Sequence, residues 1–144
     1  MILITKESLD VTAMLAAVMR RDAGAVVLFL GTTREWTRGR QTTSLEYEAH
    51  ESLARAELSR LELAARERWP SLVEVQVAHR LGNVPVGEVS VAVAVSAAHR
   101  QEAFESGQWL IDRLKETVPI WKRENWADGT EEWVHPGTTI ESSP

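Results

Sequence analysis

The spacing of apolar residues changes several times along the chain, and each change marks an element. Ile2, Leu3 and Ile4 open it as a short strand. Asp10 can cap a helix over Val11 to Arg21, with apolar positions at Val11, Leu15 and Val18, which Gly24 then stops. Ala25 to Leu30 is a continuous apolar run with β-branched and aromatic members, the pattern of a buried strand ending at Gly31. A polar loop follows from Thr32 to Thr42. Between Ser44 and Glu48, Leu45 and Tyr47 alternate with Ser44, Glu46 and Glu48, which predicts a half-buried strand. Leu58, Leu61 and Ala65 fall on one stripe of a long helix over Ser52 to Arg68, closed by Trp69-Pro70.

In the second half, Val73, Val75 and Val77 alternate with Glu74 and Gln76, a strand with its valine face inward. Leu81 to Gly87 reads as a turn. Val89 to Ser96 alternates Val with Ser or Ala, so both faces are apolar or small, and a central strand with a helix packed closely on it is predicted. His99 to Val118 is the second long helix, with Phe104, Gly107, Ile111, Leu114 and Val118 at helical spacing and Pro119 forbidding its continuation. Ile120 to Pro144 is expected to hold short elements, with 135–144 as a tail. The pattern predicts an α+β fold over residues 1–144, a single-domain sandwich of two long helices on an antiparallel-rich sheet, without repeat or linker.

Composition narrows the function. At 144 residues, 44% hydrophobic and 26% charged, the chain has the size and content of one globular domain. A net charge of -5 argues against a broad nucleic-acid-binding face, which needs clustered cations, so any anionic ligand must meet a local basic pocket. No apolar run is long enough to span a membrane, and the first residues lack the layout of a secretory signal, so a cytoplasmic protein is expected. The chain has no cysteine, which removes disulfides, thiolate nucleophiles and cysteine metal sites, and no metal or cofactor is expected. Any sulfur chemistry would need its sulfur brought by something else.

Three places concentrate cations. The loop Gly31 to Arg40 carries Arg34, Arg38 and Arg40 against Glu35. Its Thr32-Thr33 turn can offer backbone N–H groups and hydroxyls to an anion, and Arg34 a bidentate grip; a solvated surface loop is the other reading. Ser96-Ala97-Ala98-His99-Arg100 lies where a strand meets a helix, a place suited to holding phosphate or merely to starting the helix. The similar pair His79-Arg80 is read as structural, since the following turn accounts for its polarity. The third cluster runs from Lys115 through Glu124, where Lys122 and Arg123 lie near Trp121 and Trp126. A basic pocket with flat walls suits a planar anionic ring, although tryptophans also fill cores.

Spacing constrains how these clusters cooperate. His99 and Lys115 lie on one helix, sixteen residues apart, which puts their backbones roughly 24 Å from each other. If both serve one small ligand, a second copy of the chain must supply one of them, so joint function implies a dimer with composite sites.

Short blocks in fixed order carry a resemblance. They are Gly24-Ala25 leading to Phe29-Leu30-Gly31 and Arg34, Leu45-Glu46-Tyr47-Glu48-Ala49, His79-Arg80-Leu81-Gly82, and Val86-Gly87-Glu88. Ser96 to Arg100, Ala103-Phe104, Leu114-Lys115, Val118 to Glu124 and Trp133-Val134 complete the set. Together they resemble the large, catalytic subunit family of molybdopterin synthase, with its hammerhead-like fold. The resemblance implies transfer of two sulfurs to a cyclic pyranopterin monophosphate, forming the dithiolene of molybdopterin. It implies a small ubiquitin-like partner whose C-terminal thiocarboxylate supplies the sulfur, and a homodimer of large subunits within a heterotetramer. By position, Lys115 and Lys122 are then the catalytic lysines, and Thr32, Thr33, Arg34, His99, Arg100, Arg123 and Glu124 are substrate-binding residues, His99 and Arg100 coming from the second copy. Many members carry an arginine soon after Trp-Val, where this chain has His135 as the candidate replacement. The competing reading is a non-catalytic dimeric module that binds an anionic pterin or nucleotide.

Overall fold

The structure is a computed structural model that describes residues 1–134. In chain order its elements are β1 (Ile2–Thr5), α1 (Val11–Val18), β2 (Ala25–Thr32), β3 (Trp36–Thr37), β4 (Arg40–Ala49), α2 (Glu51–Arg68), β5 (Leu72–Arg80), β6 (Gly82–Pro85), β7 (Val89–Ala97), α3 (Arg100–Thr117), β8 (Ile120–Trp126) and β9 (Glu131–Val134). One sheet runs β1-β5-β7-β2, parallel only at β1-β5; the other runs β3-β4-β8-β9, with β6 also paired to β4. This is the antiparallel-rich α+β architecture that the alternating patterns predicted.

β7 shows why the first sheet is covered on both sides. Its Val91, Val93 and Val95 join Val75 and Val77 of β5 under the stripes Ala54, Leu58, Leu61, Ala65 of α2 and Ala103, Leu110, Ile111, Leu114 of α3. On the opposite face Ala92 and Ala78 are small enough to let Met14 of α1 settle against them.

Several boundaries differ from those the sequence suggested. α1 ends at Val18 rather than Arg21, because Val18 is the last side chain with a core to enter and Arg20 turns away to pair with Glu74 at 2.8 Å. Its buried residues are Met14 and Val18, while Leu15 is partly exposed. Gly24 is needed for a different reason: a Cβ there would collide with the carbonyl oxygen of Ala98. The apolar run of β2 forms an edge strand and is only half-buried. The presumed polar loop contains a hairpin, β3 to β4, closed by Arg38 and Gly39, both at positive φ (54° and 76°), as a tight two-residue turn requires. The segment after Leu81 holds a strand, β6, hydrogen-bonded to β4. Phe104 is 64% exposed, one residue off the α3 stripe, which Ala103 fills instead. Beyond Pro119 the chain pairs as two antiparallel strands, β8 and β9.

Candidate functional site

Alternation along three neighbouring strands builds one wall of a cleft of about 300 Å³. The register sets Tyr47 of β4 opposite Lys122 of β8, Leu45 opposite Glu124, and Thr42 opposite Trp126. Lys122 and Glu124 in turn face Val134 and Glu132 of β9. Because successive side chains of a strand point to opposite faces, Lys122, Glu124 and Trp126 share the cleft side with Tyr47 and Leu45. Arg123 and Trp121, of the other parity, do not line it. Arg123 bonds Asn125 Oδ1 at 3.0 Å, lies 3.6 Å from Glu131 and 3.9 Å from Glu46, and stacks over Trp133. The cleft's tryptophan is therefore Trp126, and its face is occupied by the Arg40 guanidinium 3.9 Å from the ring centroid.

The rest of the cleft comes from the first sheet and its helix. Gly31 and Thr32 end β2, Ser90 begins β7, and Lys115 enters from the last turn of α3. Gly31 must be glycine, since a Cβ would come within 2.6 Å of Val91 Cγ1. Arg34 reaches the cleft from the loop before β3, and Arg38 and Arg40 reach it from the hairpin. Arg40 is anchored by Asp128 at 3.4 Å and Thr130 at 3.1 Å. Of the residues singled out in the sequence, the cleft thus gathers Thr32, Arg34, Lys115, Lys122 and Glu124.

Four others lie elsewhere. Thr33 is 2% exposed and spends its hydroxyl on the Val84 carbonyl at 3.3 Å, pinning the loop to β6 from behind the cleft wall. Arg123 occupies the outer face just described. His99 and Arg100 stand exposed at the opposite end of α3 from Lys115, with His99 4.0 Å from Glu102. His135 lies outside the described residues.

Electrostatics single out Lys115. It meets solvent through the cleft mouth, yet desolvation by the walls, and then the ammonium of Lys122, hold its amine below the usual lysine range. Behind it lies His79, which sequence reasoning had set aside. Its ring is 4% exposed, packs edge-to-face on Tyr47 at 5.0 Å, and donates from Nδ1 to the Arg80 carbonyl at 2.8 Å. Burial, reinforced by the nearby Lys115 charge, pushes its pKa down to about 4, so it is neutral at physiological pH. Glu124, 7% exposed, accepts a 2.5 Å hydrogen bond from Thr42 and supplies a carboxylate among the cations. Arg38 and Arg40, noted in the sequence only as part of a cationic loop, line the site, and Tyr47, Ser90 and Glu132 join it without having been singled out. Period-two alternation would have exposed Glu132 and excluded Arg123 once β8 and β9 were recognised as strands. Among the described residues no cluster of His, Cys, Asp and Glu could hold a metal ion, and no helix is long and apolar enough to cross a membrane.

Fold and cleft together define a class, an α+β protein that gathers arginines and lysines around one amine of lowered basicity. The MoaE protein family model matches residues 4–117, and the chain belongs to that family. The molybdopterin synthase catalytic subunit of Bacillus subtilis is 41% identical over 131 residues, 91% of this chain and 82% of its own. That of Culex quinquefasciatus is 43% identical over 126 residues, 88% and 80% of the two chains. Among solved structures, the X-ray structure of molybdopterin synthase from Staphylococcus aureus superposes with a TM-score of 0.87 at 36% identity, covering 92% of this chain and 95% of that one.

Proposed function

We propose that the chain, acting as one domain over residues 1–144, is the catalytic subunit of a molybdopterin synthase. It moves sulfur from the C-terminal thiocarboxylate of a small ubiquitin-like partner onto cyclic pyranopterin monophosphate, in the cytoplasm. The observation that carries this reading is the convergence of Lys115 and Lys122 on one cationic cleft, with the Lys115 amine held below its ordinary pKa. An amine held below the ordinary lysine range gives up its proton more readily than a free lysine, which suits it to the proton transfers that sulfur transfer requires.

The absence of cysteine fits a subunit that receives sulfur on its partner's tail. Arg34, with Thr32, is suited to hold the substrate's anionic end, and Glu124 to set the charge around Lys122. His99 and Arg100, too far along α3 to reach their own cleft, complete the neighbouring copy's site in a homodimer flanked by two small subunits. Thr33 acts on the loop that carries Arg34, and Arg123 fixes β8 against β9 so that Lys122 and Glu124 face inward. Mixing the purified chain with a thiocarboxylated small subunit and the pterin precursor should yield a dithiolene product by mass. No product with a competent partner overturns the reading.

A further inference from the structure

Two hydroxyls in the cleft have no part in the reading above. Tyr47 stands directly across the β4-β8 ladder from Lys122, a position that brings side chains of one face within about 5 Å at Cβ. The buried His79 ring braces it edge-on at 5.0 Å. The Tyr47 hydroxyl donates to Ser90 Oγ at 3.3 Å, and Ser90 Oγ donates to the Gly31 carbonyl at 3.3 Å. Both bonds, one to a hydroxyl and one to a backbone carbonyl, exceed the roughly 2.5–3.0 Å usual for O–H···O hydrogen bonds, so each donor is weakly held and available to a stronger acceptor. A developing oxyanion is such an acceptor.

Resting on the sulfur-transfer reading, we propose that Tyr47, supported by Ser90, is a further catalytic residue whose hydroxyl donates to the acyl oxygen of the partner's C-terminal glycine during sulfur release. The step starts from the thioester that joins the glycine acyl carbon to a substrate carbon through the transferred sulfur. Water then adds to the acyl carbon; a C–O bond forms and the carbonyl pair moves onto oxygen, where the Tyr47 hydroxyl receives it. The pair returns, the C–S bond breaks, and sulfur leaves with its electrons as the thiolate of the pterin product. One water proton passes to the neutral Lys115 amine, and the other leaves to solvent from the carboxylic acid, releasing the small subunit as a carboxylate. Burial raises the Tyr47 pKa, partly opposed by the Ser90 hydrogen bond, so the phenol stays a donor throughout. Ser90 is 4% exposed and, when it turns its proton to Tyr47 Oη, frees the phenol proton for substrate.

The test is a single turnover with the thiocarboxylated small subunit and cyclic pyranopterin monophosphate, following thioester adduct and dithiolene by intact mass. Tyr47→Phe keeps the ring against His79, so the fold should hold. Adduct breakdown should slow about 10²-fold, the usual effect of losing one oxyanion donor, and the thioester should accumulate. Ser90→Ala, which keeps the phenol, should slow the same step by a smaller factor and carries the test if Tyr47→Phe fails to fold. Wild-type turnover with unchanged adduct breakdown in Tyr47→Phe, or in Ser90→Ala if that variant stands in for it, overturns this role alone. So does a rise in KM for the pterin without adduct. Failure of the wild-type chain to transfer sulfur overturns the functional reading and this role with it.

Discussion

Lys115 and Lys122 open on the same cleft although one ends a helix and the other lies inside a strand, and the charge of Lys122 depresses the pKa of Lys115. Pro119 makes this possible by ending α3 and letting the chain turn back into β8 within a few residues. The pair is therefore joined through a connection of two residues, Val118 and Pro119.

Replacing Lys115 with Ala should reduce dithiolene formation at least about 10²-fold, since a positioned proton carrier contributes that much or more. Affinity for the pterin precursor, measured by calorimetry, should change only a few-fold. A non-catalytic binding module has no turnover to lose, so wild-type product formation with its collapse in Lys115→Ala separates the two readings.

Lys122→Gln removes a positive neighbour from Lys115 and should raise the Lys115 pKa. In the proposed mechanism the working form is the neutral amine, so the rate should fall as pH drops through that pKa. A higher pKa moves this acidic limb to higher pH in the variant. A pH–rate profile measured in single turnovers reads the displacement, whatever the variant loses in maximum rate; a limb that stays in place would show that the two amines do not communicate.

His79 titrates at about 4 in the fold against an ordinary value of 6.5. As pH falls below 6.5 the unfolded chain takes up the proton first, so the stability is fully present above that pH and is lost progressively toward pH 4. The span corresponds to on the order of 3 kcal/mol. His79→Gln removes the titration, and thermal melts between pH 7 and 4.5 should fall less steeply in the variant than in the wild type.

If His99 and Arg100 complete the neighbour's cleft, Lys115→Ala and Arg100→Ala are each inactive alone but carry complementary defects. Co-refolded in equal amounts they should recover about a quarter of wild-type activity, because half the dimers are mixed and each of those has one intact site. Absence of recovery, or an active monomer by solution mass, removes the shared site.

Much of this was legible from spacing. The valine alternation of β5 and β7 and the stripe of α2 follow directly from burial, which repeats with the period of the element. The β3-β4 hairpin was hidden because its residues are polar and its turn carries Arg38, not a residue type that advertises positive φ. β8 was hidden for a related reason: Lys122-Arg123-Glu124-Asn125 has no apolar alternation, since its inward face lines a polar cleft. His79 was read as structural, and what it packs against was not legible, because its neighbours Tyr47 and Lys115 arrive from distant parts of the chain.

The short path from Lys115 through Pro119 to Lys122 also governs what changes of length the chain can absorb. Deleting one residue between 118 and 121 would slip β8 by one position against β4, turning Arg123 and Asn125 into the cleft and sending Lys122 and Glu124 out. An insertion at Asp128-Gly129, in the exposed turn before β9, leaves that register alone. The stretch from 115 to 126 therefore has to be transplanted as an uncut piece, whereas a change at 128–129 touches the cleft only through the Asp128 anchor of Arg40.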